Sequence, residues 1–137
     1  MSNFVYGKFK EALFNGQINI LSNNYRIVLL NKSNYTPNQN THEFLSDIPS
    51  SAIKAVSSNI SNITNTLGTI DADDIGFSNY SGQYFDAIVM YQVGASDTSS
   101  RLIFFIDTSS GLPFNGSNSS LPVTIIWNNE ISKILSL

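Results

Sequence analysis

Apolar and polar residues alternate with a period of two through the last third of the chain. In 84–93 the odd positions Phe85, Ala87, Val89, Tyr91 and Val93 make one apolar face. In 101–107 that face is Leu102, Phe104 and Ile106, and in 121–127 it is Leu121, Val123, Ile125 and Trp127. In 131–137 it is Ile131, Leu135 and Leu137, with Lys133 near a rim. Period-two alternation punctuated by Gly, Asn and Ser predicts antiparallel strands joined as a meander, with loops at 94–100, 108–120 and 128–130. The run 25–30 differs. It is almost continuously apolar, as a strand covered on both faces should be.

Helical spacing is confined to the start. Phe4, Phe9, Ala12 and Leu13 form a stripe over 3–15, with Ser2 or Asn3 available as N-cap and Asn15-Gly16 as a stop. Such a helix either packs on its own domain, the favoured reading, or reaches a neighbouring subunit. Residues 34–38 read as a turn around Pro37, and 41–48 as one helical turn with Phe44, Leu45 and Ile48 inward. Weaker strands are expected at 52–56, 59–63, 67–70 and 74–77. The fold class that follows is mainly β: an antiparallel β-sandwich or barrel-like domain with an N-terminal helix. One domain spans 1–137, with the helix in 1–16 and strands in 25–137. The last strand is expected to tie the chain end into the sheet.

Composition sharpens this picture. Seven basic and ten acidic residues among 137 make 12% charged, about half the usual share, and the net charge is −3. Solubility therefore rests on amides and hydroxyls, which cost less to bury than ions. Cysteine is absent, which removes disulfide and thiolate chemistry. The basic residues are scattered rather than clustered, so no nucleic-acid footprint is expected. No apolar run reaches the length of a membrane span, and residues 1–5 lack the pattern of a signal peptide. Cytoplasmic synthesis is the expectation, and the Asn-x-Ser/Thr triplets are read as chance.

Few residues invite chemistry. His42 is the only histidine; without an accompanying nucleophile elbow, HExxH or phosphate loop it reads as structural, bonded to backbone. Asp71, Asp73 and Asp74 are weak metal candidates, offering oxygens for Ca²⁺ without EF-hand spacing, and an Asp-capped turn is the favoured alternative. No catalytic residue, cofactor or firm metal site is expected, and the chain does not read as an enzyme. Leu112 and Phe114, in the apolar tip of the 108–120 loop, either dock a partner or fold back as a lid. Tyr80, Tyr84, Tyr91 and Trp127 either line a carbohydrate platform or fill the core, and the core is favoured.

Several stretches taken together carry a resemblance. They run from Phe4-Val5-Tyr6-Gly7-Lys8-Phe9-Lys10-Glu11-Ala12-Leu13 through Gly16 and Ile18 to 25–30, then Tyr35-Thr36-Pro37 and His42-Glu43-Phe44-Leu45-Ser46-Asp47-Ile48. Asp71-Ala72-Asp73-Asp74-Ile75, Ile88-Val89-Met90-Tyr91, Ile106-Asp107-Thr108, Gly111-Leu112-Pro113, Trp127 and Ile134-Leu135-Ser136-Leu137 follow in order. This pattern resembles a widespread family of small structural proteins of tailed-bacteriophage virions, with Phe77 where that family often has tryptophan. The resemblance implies a virion component that decorates or cements the capsid exterior or forms a head fibre. The alternative is a tail or tail-fibre module touching the host surface. It implies as partners the major capsid protein or other virion proteins and further copies of itself, with no nucleic acid and no membrane. Phe4, Tyr6, Phe9, Leu112 and Phe114 are the expected contact residues.

Overall fold

The computed structural model describes residues 3–80, 82–115, 121–127 and 135–136. In chain order the elements are β1 (Phe4–Val5), α1 (Gly7–Phe14), β2 (Tyr25–Leu30), β3 (Ile53–Val56), β4 (Thr64–Thr66), β5 (Thr69–Asp71) and β6 (Ile75–Tyr80). They continue as β7 (Ala87–Gln92), β8 (Arg101–Ile106), β9 (Leu121–Ile125) and β10 (Leu135–Ser136). A five-stranded sheet has the order β1-β8-β7-β2-β3, a three-stranded sheet β10-β5-β4, and β6 pairs with β9. The protein is mainly β, and every one of these pairings is antiparallel.

The five-stranded sheet is the centre of the core because both of its faces are apolar. Cross-strand partners project to the same side, so Val28, Val89 and Phe105 share one face and Leu29, Ile88 and Ile106 the other. On the first face Phe105 stacks on Phe4 at 5.2 Å and meets Tyr35 at 6.5 Å. On the second, Phe104 meets Trp127 edge-on at 6.4 Å, which seats the β6–β9 ribbon over the sheet. The strand 25–30 is buried along most of its length, as its apolar run requires.

Two-sided burial also corrects the alternating pattern. Ile88, Met90, Ile103 and Phe105 are buried together with their odd or even neighbours, so 84–93 and 101–107 do not have one dry and one wet face. Such a sheet needs a cover, and this is why the last strands do not continue a meander. β7 and β8 form a hairpin, but β9 leaves to pair with β6 and β10 with β5. In 121–127 the alternation does hold where side chains are described: Val123 and Trp127 are buried while Ile126 points outward. Of the strand expected at 131–137, residues 131–134 and 137, with Lys133, lie outside the described residues.

The N-terminal helix is shorter than its stripe. Phe4 and Val5 pair with β8 instead, and the Tyr6 amide donates to Ile103 O at 2.9 Å. Asn3 is not an N-cap: its Oδ1 accepts the amides of Asp107 and Thr108, both at 3.0 Å. An eight-residue helix is too short to resist such pairing on propensity alone. Its end is as expected. Gly16 at φ 73° lets its amide reach Leu13 O and the Gln17 amide reach Ala12 O, the two bonds of a Schellman stop.

In the middle of the chain, 59–63 is not a strand: Asn62 at φ 59° turns the backbone out of the extended region. The pairing partner of β5 is β4 at 64–66, a strand whose three residues are all exposed. The turn at 41–48 is a 3₁₀ turn over Leu45–Asp47 that buries Leu45 and Ile48. It rests on the 94–100 loop, where Leu45 N–H donates to Ser100 O at 2.7 Å. There Gly94 is required by close approach, since a Cβ would overlap the Ser99 carbonyl.

Candidate functional site

His42 is the end of a buried hydrogen-bonded chain. Its Nδ1 accepts the Asn38 amide at 3.1 Å and lies 2.9 Å from the Tyr35 hydroxyl. That bonding assigns the ring proton to Nε2, so Tyr35 donates to the histidine and Tyr6, 3.0 Å away, donates to Tyr35. The Tyr35 and His42 rings stack at 5.4 Å. Burial, aided by the neighbouring Tyr35 oxygen, pushes the Tyr6 hydroxyl far above its ordinary value, and burial pushes Tyr35 up to about 12. Nearby Asp47 feels burial in the opposite sense, but the amides of Glu43 and Phe44 hold its carboxyl below its usual range. The chain locks the 35–48 segment onto the first sheet face. No serine, threonine or carboxylate oxygen bonds this histidine among the described residues.

Asp71 ends β5 opposite Thr64, and the other two aspartates serve different partners. Asp73 accepts the Asn62 side-chain amide at 2.6 Å, and Asp74 accepts the Trp127 amide at 2.9 Å. The Trp127 indole N–H donates to Asp73 O at 3.0 Å. Among the described residues no group of three or more His, Asp or Glu side chains is placed to hold a metal ion. The turn around 71–74 therefore works as a clamp on Trp127, a longer reach than the local turn the sequence suggests. Asp74→Ala should leave that amide without its acceptor and lower stability by about 1–3 kcal/mol. A urea titration followed by fluorescence of Trp127, the one tryptophan, measures this directly.

Of the aromatic quartet, Tyr80, Tyr91 and Trp127 are buried and Tyr84 is exposed. Three rings in the core leave no shared platform for a sugar. Among the expected contact residues, Tyr6 and Phe9 are fully buried and touch only the domain's own core, because β1 turns the start of the helix inward. Phe4 is half-buried against Phe105 and Tyr6.

Leu112 and Phe114 fold back rather than stand free. Phe114 exchanges backbone hydrogen bonds with Phe85, at 2.8 and 3.1 Å, and stacks on its ring at 5.0 Å. Both residues are half-buried and, with Ile88 below and Val123, Ile125 and Ile126 opposite, they border a cleft of about 480 Å³. The rim carries the hydroxyls of Ser109, Ser110 and Thr124, and among the described residues no titratable group lines the cleft. A volume of this size falls in the range of binding pockets. This cleft lies between the two readings of the loop, because the lid is itself one wall of a concave surface.

The most exposed apolar side chains among the described residues are Leu67 at the β4–β5 turn, Phe14 at the end of α1 and Ile126 beside the cleft. Ile126 was within reach of sequence reasoning, since alternation in 121–127 turns an isoleucine toward water. Leu67 was not, because β4 and β5 are short and polar. No protein-family model matches the chain, and no curated protein sequence matches it. Among the described residues no helix is long and apolar enough to cross a membrane.

Proposed function

We propose that the protein is a structural component of a phage virion that binds the capsid exterior or builds a head fibre. The observation that carries this reading is the sparseness of charge. Only 17 of 137 residues are charged, and many polar contacts of the described residues are Asn and Ser side chains bonding to backbone. Such a surface can be desolvated against a shell at low cost, and repetition over many sites multiplies a modest affinity. The ordered series of residues that resembles the virion family supports the same assignment. A sheet buried on both faces supplies a stiff body for it.

Tyr6 and Phe9 being internal, the shell contact is assigned to the exposed end of the same helix, where Phe14 is 83% exposed. Recombinant protein should add to capsids lacking it, and cryo-electron microscopy should place it on the head. Phe14→Ser should weaken that binding about tenfold or more, as loss of an aromatic anchor does. Failure to bind capsids together with binding to host cells would instead favour the tail-associated alternative.

A further inference from the structure

The β4–β5 hairpin violates a local rule. Its two-residue turn, Leu67-Gly68, has φ angles of 53° and 82°, as a type I′ connection between Thr66 and Thr69 demands. Asparagine or glycine is the usual occupant of the first position, since a leucine Cβ crowds the backbone there. Among the described residues nothing compensates, because Leu67 is 100% exposed. Its neighbours Thr64, Asn65 and Thr66 are neutral and exposed as well, and Gly68 is half-buried. A strained residue with no packing partner among the described residues points to a role outside the fold.

The cleft beside the 109–114 segment has the complementary properties. Ile88, Leu112, Phe114, Val123 and Ile126 make its apolar surface, no charged side chain lines it among the described residues, and its volume of about 480 Å³ exceeds what a single leucine side chain fills. A narrow, uncharged hairpin tip enters such a space without desolvating an ion. We propose that the Leu67-Gly68 tip of one copy seats in this cleft of a second copy. Knob and hole are different surfaces, so the contact is heterologous and each added copy presents a fresh cleft or a fresh tip. Copies then join head to tail, into a ring where the rotation closes and a filament where it does not. The inference does not require a virion role, and the purified full-length chain tests it without capsids.

Sedimentation velocity over a range of concentrations should show the average mass of the wild-type protein rising above that of the monomer. Leu67→Asn keeps the turn, and indeed suits it better, so this variant should melt at the same or a higher temperature yet remain monomeric. Ile126→Asp places a charge at the mouth of the cleft on a residue 70% exposed, and it too should be monomeric with an unchanged circular-dichroism spectrum. Mixed together, the two variants retain one intact cleft and one intact tip, so they should form a one-to-one dimer and nothing larger. A wild-type protein that stays monomeric throughout would overturn the proposal. So would a Leu67→Asn variant that associates like wild type, or a mixture that yields no dimer.

Discussion

Replacing Phe105 with alanine should remove about 3–5 kcal/mol of stability, the range for a buried aromatic cut to a methyl group. Phe105 is fully buried on β8, between β1 and β7, with the rings of Phe4 and Tyr35 against it. Neither neighbour can follow into the space left behind: Phe4 is held in its strand pairing and Tyr35 by its hydroxyl bonds. A domain of this kind has about 5–15 kcal/mol in total, so the variant should lose a large part of its margin and melt about 10 °C lower or more. Urea denaturation should show the midpoint falling with little change in slope. A loss below about 1 kcal/mol would mean that this face is not the centre of the core.

Alkaline pH should unfold the protein through its tyrosines. Burial raises the hydroxyl pKa of Tyr6, Tyr25, Tyr35, Tyr80 and Tyr91, with Tyr25 and Tyr35 reaching about 12 against 10.0 for the unfolded chain. The sign follows from linkage. A proton held more tightly in the folded state stabilises it fully below pH 10, and that contribution is lost as pH rises from 10 through 12. Tyr25 and Tyr35 each remove up to about 1.4 kcal/mol per pH unit across that window. Stability should therefore be flat to about pH 10 and fall steeply above it, with tyrosinate absorbance of the native protein lagging that of the urea-unfolded chain. Tyr35→Phe takes away the acceptor of the Tyr6 hydroxyl and should lower stability at neutral pH by about 1–3 kcal/mol. In acid the sign reverses at Asp47: its lowered carboxyl pKa contributes above the unfolded value of 3.8 and is lost as pH falls below it.

The legible parts of the fold were those in which side-chain chemistry along a single strand decides the outcome. The continuous apolar run of β2 announced two-sided burial, and Asn15-Gly16 announced the helix stop. The alternation in β9 put Val123 and Trp127 inside. What misled was local pattern overruled by distant pairing. Phe4 and Val5 sit in a helical stripe, yet the open edge of β8, about a hundred residues away, captures them. Along β7 and β8 odd and even positions are both apolar, and choosing one face hid the need for a cover. That cover arrives from β6 and β9, whose pairing skips two strands and is not encoded in periodicity.

The same limit applies to the candidate site. His42 accepts a backbone amide, as its sequence context suggests, but its link through Tyr35 to Tyr6 joins residues 29 and 7 positions apart. The three aspartates looked like one cluster because they are adjacent in sequence. In space, Asp74 serves a tryptophan 53 residues on. Leu112 and Phe114 were visible as apolar residues in a polar loop, whereas the cleft they help to form depends on where β9 lies.

The placement of β1 and β8 has a consequence for how the chain reaches this state. Residues 4–5 and 101–106 lie side by side, so the central sheet cannot be completed until residue 106 has left the ribosome. Until β7 emerges, the greasy β2 segment can zip only to the short β3. Acquisition of the native state should accordingly be late, slow and dependent on contacts of long loop length. It should also be sensitive to temperature and to chaperone supply during synthesis, when the half-built sheet is most prone to stick to its neighbours.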